Sequence, residues 1–226
     1  MLISCSSKLD LTARLGEDLL SHARECIRET GSFVLLLSGG SIVDVVAQIV
    51  KHEQCEKWHV ILADERHVPC SHADSNYKLI KESLLQEEGF GGKILAADYA
   101  DSVDEMARHY AKKVIGVMRG KLNKTVFDAA ILGVGEDGHI ASLFPGHEPW
   151  ESGTNMFIPV KGSPKPPPCR ISIGIDHIKM AKWKCVAIWD EKKRGALEKI
   201  KNKDPSIPIS HVDGLRVYYS SSIPSV

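Results

Sequence analysis

FDAAILGVGEDGHIASLFPG, residues 127–146, joins an apolar run to three glycines and a histidine. Residues 127–132 carry no polar side chain except Asp128, the pattern of a strand covered on both faces in a parallel sheet. Gly133, Gly135 and Gly138 end the run and permit close backbone approach. The Asp137-Gly138-His139 turn then holds an imidazole at the carboxyl end of the strand, where open α/β sheets bind ligands. The same glycines spell G-x-G-x-x-G, the fingerprint of a dinucleotide site. Against that reading, the stretch lies past mid-chain, and Pro145 and Gly146 limit the following segment to about two turns, short of a crossover helix. A pyrophosphate cradle also has no use for the histidine. The plainer alternative is a turn histidine that only caps its own loop; the chemical one is a general base, the commonest task of a histidine in such a place.

Working back towards the N-terminus, residues 10–30 place Leu11, Leu15, Leu19, Ala23 and Ile27 on one stripe of a helix, which Gly31 stops. Residues 33–37 form an apolar strand that runs directly into Ser38-Gly39-Gly40-Ser41 and then a helical pattern through Val50. Strand, glycine loop and helix N-terminus together make an anion cradle like a P-loop without its lysine. A tight turn with Ser41 as N-cap is the simpler reading. Residues 58–63 read as a further strand ending in Asp64-Glu65-Arg66-His67, either a solvated rim or part of a site. A helix over 76–85 capped by Ser75, a strand over 93–96 and an amphipathic helix over 101–119 follow, the last with a solvated face of lysines.

On the C-terminal side, residues 155–160 predict a strand and Pro164-Lys165-Pro166-Pro167-Pro168 a stiff extended segment. The next strand, 170–175, puts Arg170 at its mouth. Residues 183–189 are another apolar strand. A helix over 191–200 carries Lys192, Lys193 and Arg194 in its first turn, where cations oppose the helix dipole unless an anion sits there. Residues 215–219 read as a last edge strand before a loose tail. The expected fold is α/β, a single domain over 1–226 with a mostly parallel, Rossmann-like twisted sheet flanked by helices.

The 226 residues balance 29 basic against 29 acidic side chains, so no global field favours nucleic acid or an anionic membrane, and any anionic ligand must be held locally. Six cysteines stand singly without metal-ligand spacing. Reduced thiols, no metal, no cofactor and a cytoplasmic location are the expectations. Met1 opens no secretory signal, and no apolar run approaches the roughly 18 residues of a membrane span.

Polar groups thus recur at strand ends at residues 38–41, 64–66 and 133–139 and at Arg170. SGGS, DERHVP with SNY downstream, GVGEDGHIASLFPG and SPKPPPCR, in this order, resemble the 6-phosphogluconolactonase family, which is related in fold to the glucosamine-6-phosphate deaminases and isomerases. The resemblance implies a metal-free cytosolic hydrolase opening 6-phospho-D-glucono-1,5-lactone in the oxidative pentose phosphate pathway; a monomer whose partner is the small sugar-phosphate lactone is the expectation. His139 is then the base on water and Asp137 its orienting carboxylate. Gly39, Gly40, Ser41, Asp64, Arg66 and Gly138 surround the substrate. Arg170, as a bidentate guanidinium, and Lys193 anchor the phosphate. Three positions depart from the family's pattern: Ile42-Val43 after the serine loop, Asp190 where a glycine commonly stands, and Ser220-Ser221-Ser222 in place of Asp-Glu-Ala. The rival functions are an amino-sugar-phosphate deaminase or isomerase with Asp64 as base, and a non-catalytic sugar-phosphate sensor.

Overall fold

The structure, a computed structural model, describes residues 1–51, 53, 55–85, 90–147, 150–153 and 155–223. Its strands are β1 (Leu2–Cys5), β2 (Phe33–Leu37), β3 (Trp58–Leu62), β4 (Asp64–Arg66), β5 (Lys93–Leu95), β6 (Ala129–Leu132), β7 (Phe157–Val160), β8 (Arg170–Ile173), β9 (Trp183–Ile188) and β10 (Arg216–Ser220). Its helices are α1 (Lys8–Thr30), α2 (Ile42–Val50), α3 (Asn76–Leu85), α4 (Val103–Ile115), α5 (Ile175–Met180) and α6 (Arg194–Lys201).

Seven strands form one sheet in the order β1-β10-β9-β6-β2-β3-β5, with every pairing parallel. Its central strands β2, β6 and β9 are buried at every residue, which is why they read as apolar runs, broken in β9 only by Lys184. Strand order runs outward one way from β2 through β3 to β5 and the other way from β6 through β9 to β10. The switch point lies between β2 and β6, and the crevice at the carboxyl ends of those two strands is where such a sheet binds ligands.

A second, antiparallel sheet of order β4-β8-β7 stands over that end of the main sheet. The amide of Ala63 donates to Leu37 O (2.8 Å) and the amide of Ile173 to Ala63 O (2.7 Å), so one residue joins the two sheets. Helix α4 packs on β7 and β8, and the Tyr110 hydroxyl, buried in its core, accepts from Leu62 N (2.8 Å) and donates to Leu95 O (3.2 Å).

Several expectations change here. Asp64-Glu65-Arg66 is not the tail of β3 but a strand of its own in the second sheet, because the chain turns at Ala63. The segment after Gly138 forms no helix: Ile140 bridges both Val134 and Leu143, and Ala141 takes a positive φ of 49°. The α-helix expected over 101–119 ends at Ile115 and continues as a π-turn, Gly116–Lys121. Strand β10 is interior rather than an edge, because β1, absent from the sequence reading, pairs outside it. Of the expected tail, residues 224–226 lie outside the described residues.

Candidate active site

The carboxyl ends of β2 and β6 are fastened to each other by Ser38, whose amide donates to Ile131 O (3.1 Å) and whose hydroxyl accepts from Gly133 N (2.6 Å). Past this clamp the chain makes two loops that face one cavity of about 330 Å³. In the first, Gly40 adopts φ 81° and Ser41 makes no side-chain cap to α2, so the simple N-cap reading does not hold. Among the described residues no group accepts a hydrogen bond from the amides of Gly39, Gly40 or Ser41. Adjacent unpaired amides of this kind are donors for an anion or a developing oxyanion.

The second loop presents the histidine. Gly138 N donates to Gly135 O (3.0 Å) and Gly135 N to His139 O (2.9 Å), which folds residues 135–139 into a closed turn. Asp137 Oδ1 accepts from the His139 backbone amide (3.3 Å) and lies 2.5 Å from His139 Nδ1. With Asp137 as acceptor, the neutral form of the imidazole carries its proton on Nδ1 and keeps the lone pair on Nε2, the tautomer a general base needs. Burial acts to raise the Asp137 pKa, but the hydrogen bond and charge of His139, with Lys165 beyond, outweigh it and hold the carboxyl well below the usual range. The His139 ring lies on Phe144, centroids 4.6 Å apart. A Cβ on Gly135 would come within 2.0 Å of His139 Nδ1 and 2.5 Å of Asp137 Oδ1, so only glycine leaves room for the pair.

Cations dominate the rest of the lining: Arg66, Arg170, Lys165 and Lys193, against Asp64 and Glu136. Arg66 on β4 and Arg170 on β8 are direct partners in the antiparallel register, an arrangement that costs stability unless negative charge intervenes. Asp64 supplies part of it and is itself tied down, its Oδ2 accepting from the Ser142 hydroxyl (2.7 Å).

The two arginines differ in what they have left to donate. Arg170, 3% exposed, donates from Nε to Pro167 O (3.0 Å) and from Nη2 to both Lys165 O (2.9 Å) and Pro166 O (2.8 Å); its Nη1 reaches Ser142 Oγ at 3.4 Å. A bidentate fork needs two adjacent nitrogens with free hydrogens, and in Arg170 only Nη1 keeps one. The expectation that it grips a phosphate two-handed is therefore corrected; its side chain holds the proline loop. Arg66 donates only one Nη1 bond, to Asp74 O (2.9 Å), and its buried Nε has no partner among the described residues. Arg66 is the guanidinium with a free edge.

Lys193 sits in a 3-10 turn, Glu191–Lys193, rather than in the first turn of an α-helix, and Asp190 caps that turn by accepting from Lys192 N (3.0 Å). Its ammonium lies 5.6 Å from the Trp189 ring centroid. Burial lowers its pKa, against the opposing pull of Asp190 and Glu136.

All the expected site residues except Asp137 and Gly138 line the cavity, and those two shape the turn that carries His139. The sequence reading passed over Asn76 and Lys165. Asn76, buried, donates to Asp64 O (2.9 Å), with its amide oxygen against Gly39 so closely that a Cβ there would meet it at 2.0 Å. It is fixed by Glu65, a buried carboxylate that accepts from the amides of Arg66, Asn76 and Tyr77 and from Ser75 Oγ. Lys165 reaches Asp137 Oδ1 at 3.4 Å. The signals were present, SNY and SPK, but neither residue follows a buried strand, the feature that singled out the others. Among the described residues no group of three or more His, Cys, Asp or Glu is placed to hold a metal ion, and no helix is long and apolar enough to cross a membrane.

A family model described as glucosamine-6-phosphate isomerases/6-phosphogluconolactonase matches residues 6–218. The chain belongs to this family. Among its members, 6-phosphogluconolactonase of Rattus norvegicus is 33% identical over 217 residues, covering 92% of this chain and 84% of the relative. That of Bos taurus is 34% identical over 204 residues, covering 86% and 79%. The crystal structure of a 6-phosphogluconolactonase from Shewanella baltica OS155 superposes with a TM-score of 0.86 at 22% identity, covering 98% of this chain and 97% of that one. The fold is shared across the family's two branches: a monomeric glucosamine-6-phosphate deaminase superposes with a TM-score of 0.76 at 18% identity, covering 99% of each chain.

Proposed function

We propose that the chain hydrolyses 6-phospho-D-glucono-1,5-lactone to 6-phospho-D-gluconate, with His139 as general base. The observation that carries this reading is a histidine anchored at Nδ1 by a carboxylate, with Nε2 free, in a cavity where two arginines face each other across a strand pair. A lactone is an activated ester, so positioned water and a base suffice without a covalent nucleophile or a metal. Nε2 takes a proton from water as its oxygen bonds to the lactone carbonyl carbon. The negative charge passes to the carbonyl oxygen, where amides of the Gly39–Ser41 loop can donate to it. Collapse of that intermediate breaks the bond from carbon to the ring oxygen, and His139 returns its proton to the departing oxygen. Asp137 keeps the imidazole in the required tautomer.

Arg66, Lys193 and the hydroxyl of Ser41 hold the phosphate, and Asp64 and Gly138 shape the cavity. Asp64 Oδ2 accepts from the Ser142 hydroxyl (2.7 Å), and the test with glucosamine 6-phosphate separates the lactonase reading from one in which Asp64 is a base on an amino sugar. The enzyme acts as a monomer in the cytoplasm. The test is kcat/KM for freshly made 6-phosphogluconolactone, unphosphorylated D-glucono-1,5-lactone and glucosamine 6-phosphate, measured with EDTA present. The phosphorylated lactone should be strongly preferred, and Arg66→Lys should cut that preference roughly ten- to a hundred-fold, the worth of a charge-assisted pair of about 1.5–3 kcal/mol. Turnover of glucosamine 6-phosphate with no lactone opening would overturn the assignment.

A further inference from the structure

Arg170 is buried, lines the cavity and yet spends its Nε and Nη2 on its own loop. Three successive carbonyls, of Lys165, Pro166 and Pro167, converge on Nε and Nη2. The prolines supply no amide hydrogens within the loop to pair those carbonyls, so the guanidinium replaces the hydrogen bonding that a strand or helix would supply. Ser163 closes the base of the loop, its amide donating to Pro168 O (2.9 Å) and its hydroxyl to Lys165 O (2.9 Å). The product of this construction is the position of one side chain. Lys165 is carried to 3.4 Å from Asp137 Oδ1 and 3.5 Å from His139 Nδ1. Because Nδ1 carries its own proton, the shorter contact is the hydrogen bond and the longer one a charge placed beside the imidazole.

We infer that Arg170 is a positioning residue whose task is to hold Lys165 against the Asp137–His139 pair, and that Lys165 sets the protonation of that pair. The inference rests on His139 being the base. A cation at this place opposes a proton on Nε2, so it keeps the base in its working form at lower pH; Asp137, on the same nitrogen, acts in the opposite sense. The other charges lining the cavity are Glu136, Lys193, Asp64 and Arg66, none of which hydrogen-bonds the imidazole.

The experiment compares wild type, Lys165→Met, Arg170→Lys and the double variant on phosphorylated and unphosphorylated gluconolactone across pH. Lys165→Met should lower kcat on both lactones by a similar factor, about ten-fold or more, and move the acid limb of kcat/KM to higher pH. Arg170→Lys keeps the charge but cannot span three carbonyls, so it should reproduce both effects, and the double variant should lose no more than the worse single one. Should Arg170→Lys fail to fold, the half-exposed Lys165→Met still decides through its pH profile. A loss confined to KM for the phosphorylated lactone, with the acid limb unmoved, would make these residues phosphate anchors and overturn the inference. A wild type that opens neither lactone would instead remove the proposed function.

Discussion

Gly135→Ala should give a folded protein with kcat/KM for the lactone reduced by roughly a hundred-fold or more. The added methyl has to occupy the volume of the imidazole and carboxylate, since its Cβ falls 2.0 Å from His139 Nδ1, 2.1 Å from Cε1 and 2.5 Å from Asp137 Oδ1. The side chains must move, and displacing a base by about 1 Å is enough for such a loss. Stability should change little, because the contact is made with two partly exposed side chains and not with the core. The loss should fall on kcat, since the phosphate anchors are untouched. Circular dichroism and a urea midpoint close to wild type, alongside the collapsed turnover, would bear this out. Near-normal kcat would mean that the pair is not held where the chemistry occurs.

At the opposite end of β6, Asp128→Ala should cost about 3–5 kcal/mol of stability while leaving the turnover of the folded fraction intact. Asp128 is fully buried. Its Oδ2 accepts from Val34 N (2.8 Å) and pairs with Lys124 (2.7 Å), and Lys182 lies 3.1 Å from Oδ1. The Lys124 ammonium, itself nearly buried, also donates to Thr30 Oγ1 (2.8 Å). Removing the carboxylate leaves that buried ammonium without a counter-charge and the Val34 amide without a partner, and the loss of paired charge is the large term. The readout is a lower urea midpoint at an unchanged m value. An unchanged midpoint would show that water reaches the cluster freely.

Asp128 also marks where sequence reading reaches its limit. It was visible as the one polar residue in an apolar run, but beyond Lys124, four residues before it, its partners Val34 and Lys182 lie on distant segments that no local pattern connects. The strand at Phe33–Leu37 was legible to the residue because burial on both faces leaves an unambiguous apolar run. Strand β4 was hidden because three polar residues carry no strand period, and only their pairing with β8 makes them one. Strand β1 and helix α5 are too short to show a period of their own. At the site, Ser38–Ser41, Arg66 and His139 announced themselves by following buried strands. Arg170, at the start of a strand, misled: a guanidinium at a strand mouth suggested a phosphate fork, whereas three carbonyls of a proline loop already occupy its Nε and Nη2. Asn76 and Lys165 are brought in by a buried cap and by that loop, which are tertiary facts.

The central claim is that the Nδ1-anchored histidine supplies the base. Its most direct test is the opening of freshly prepared 6-phosphogluconolactone at mildly acidic pH, where spontaneous opening is slow, by wild type and His139→Ala under conditions where both are folded. The account predicts a loss of roughly 10²–10⁴-fold in kcat, the usual contribution of a positioned base. Retention of near-normal kcat in folded His139→Ala would contradict it.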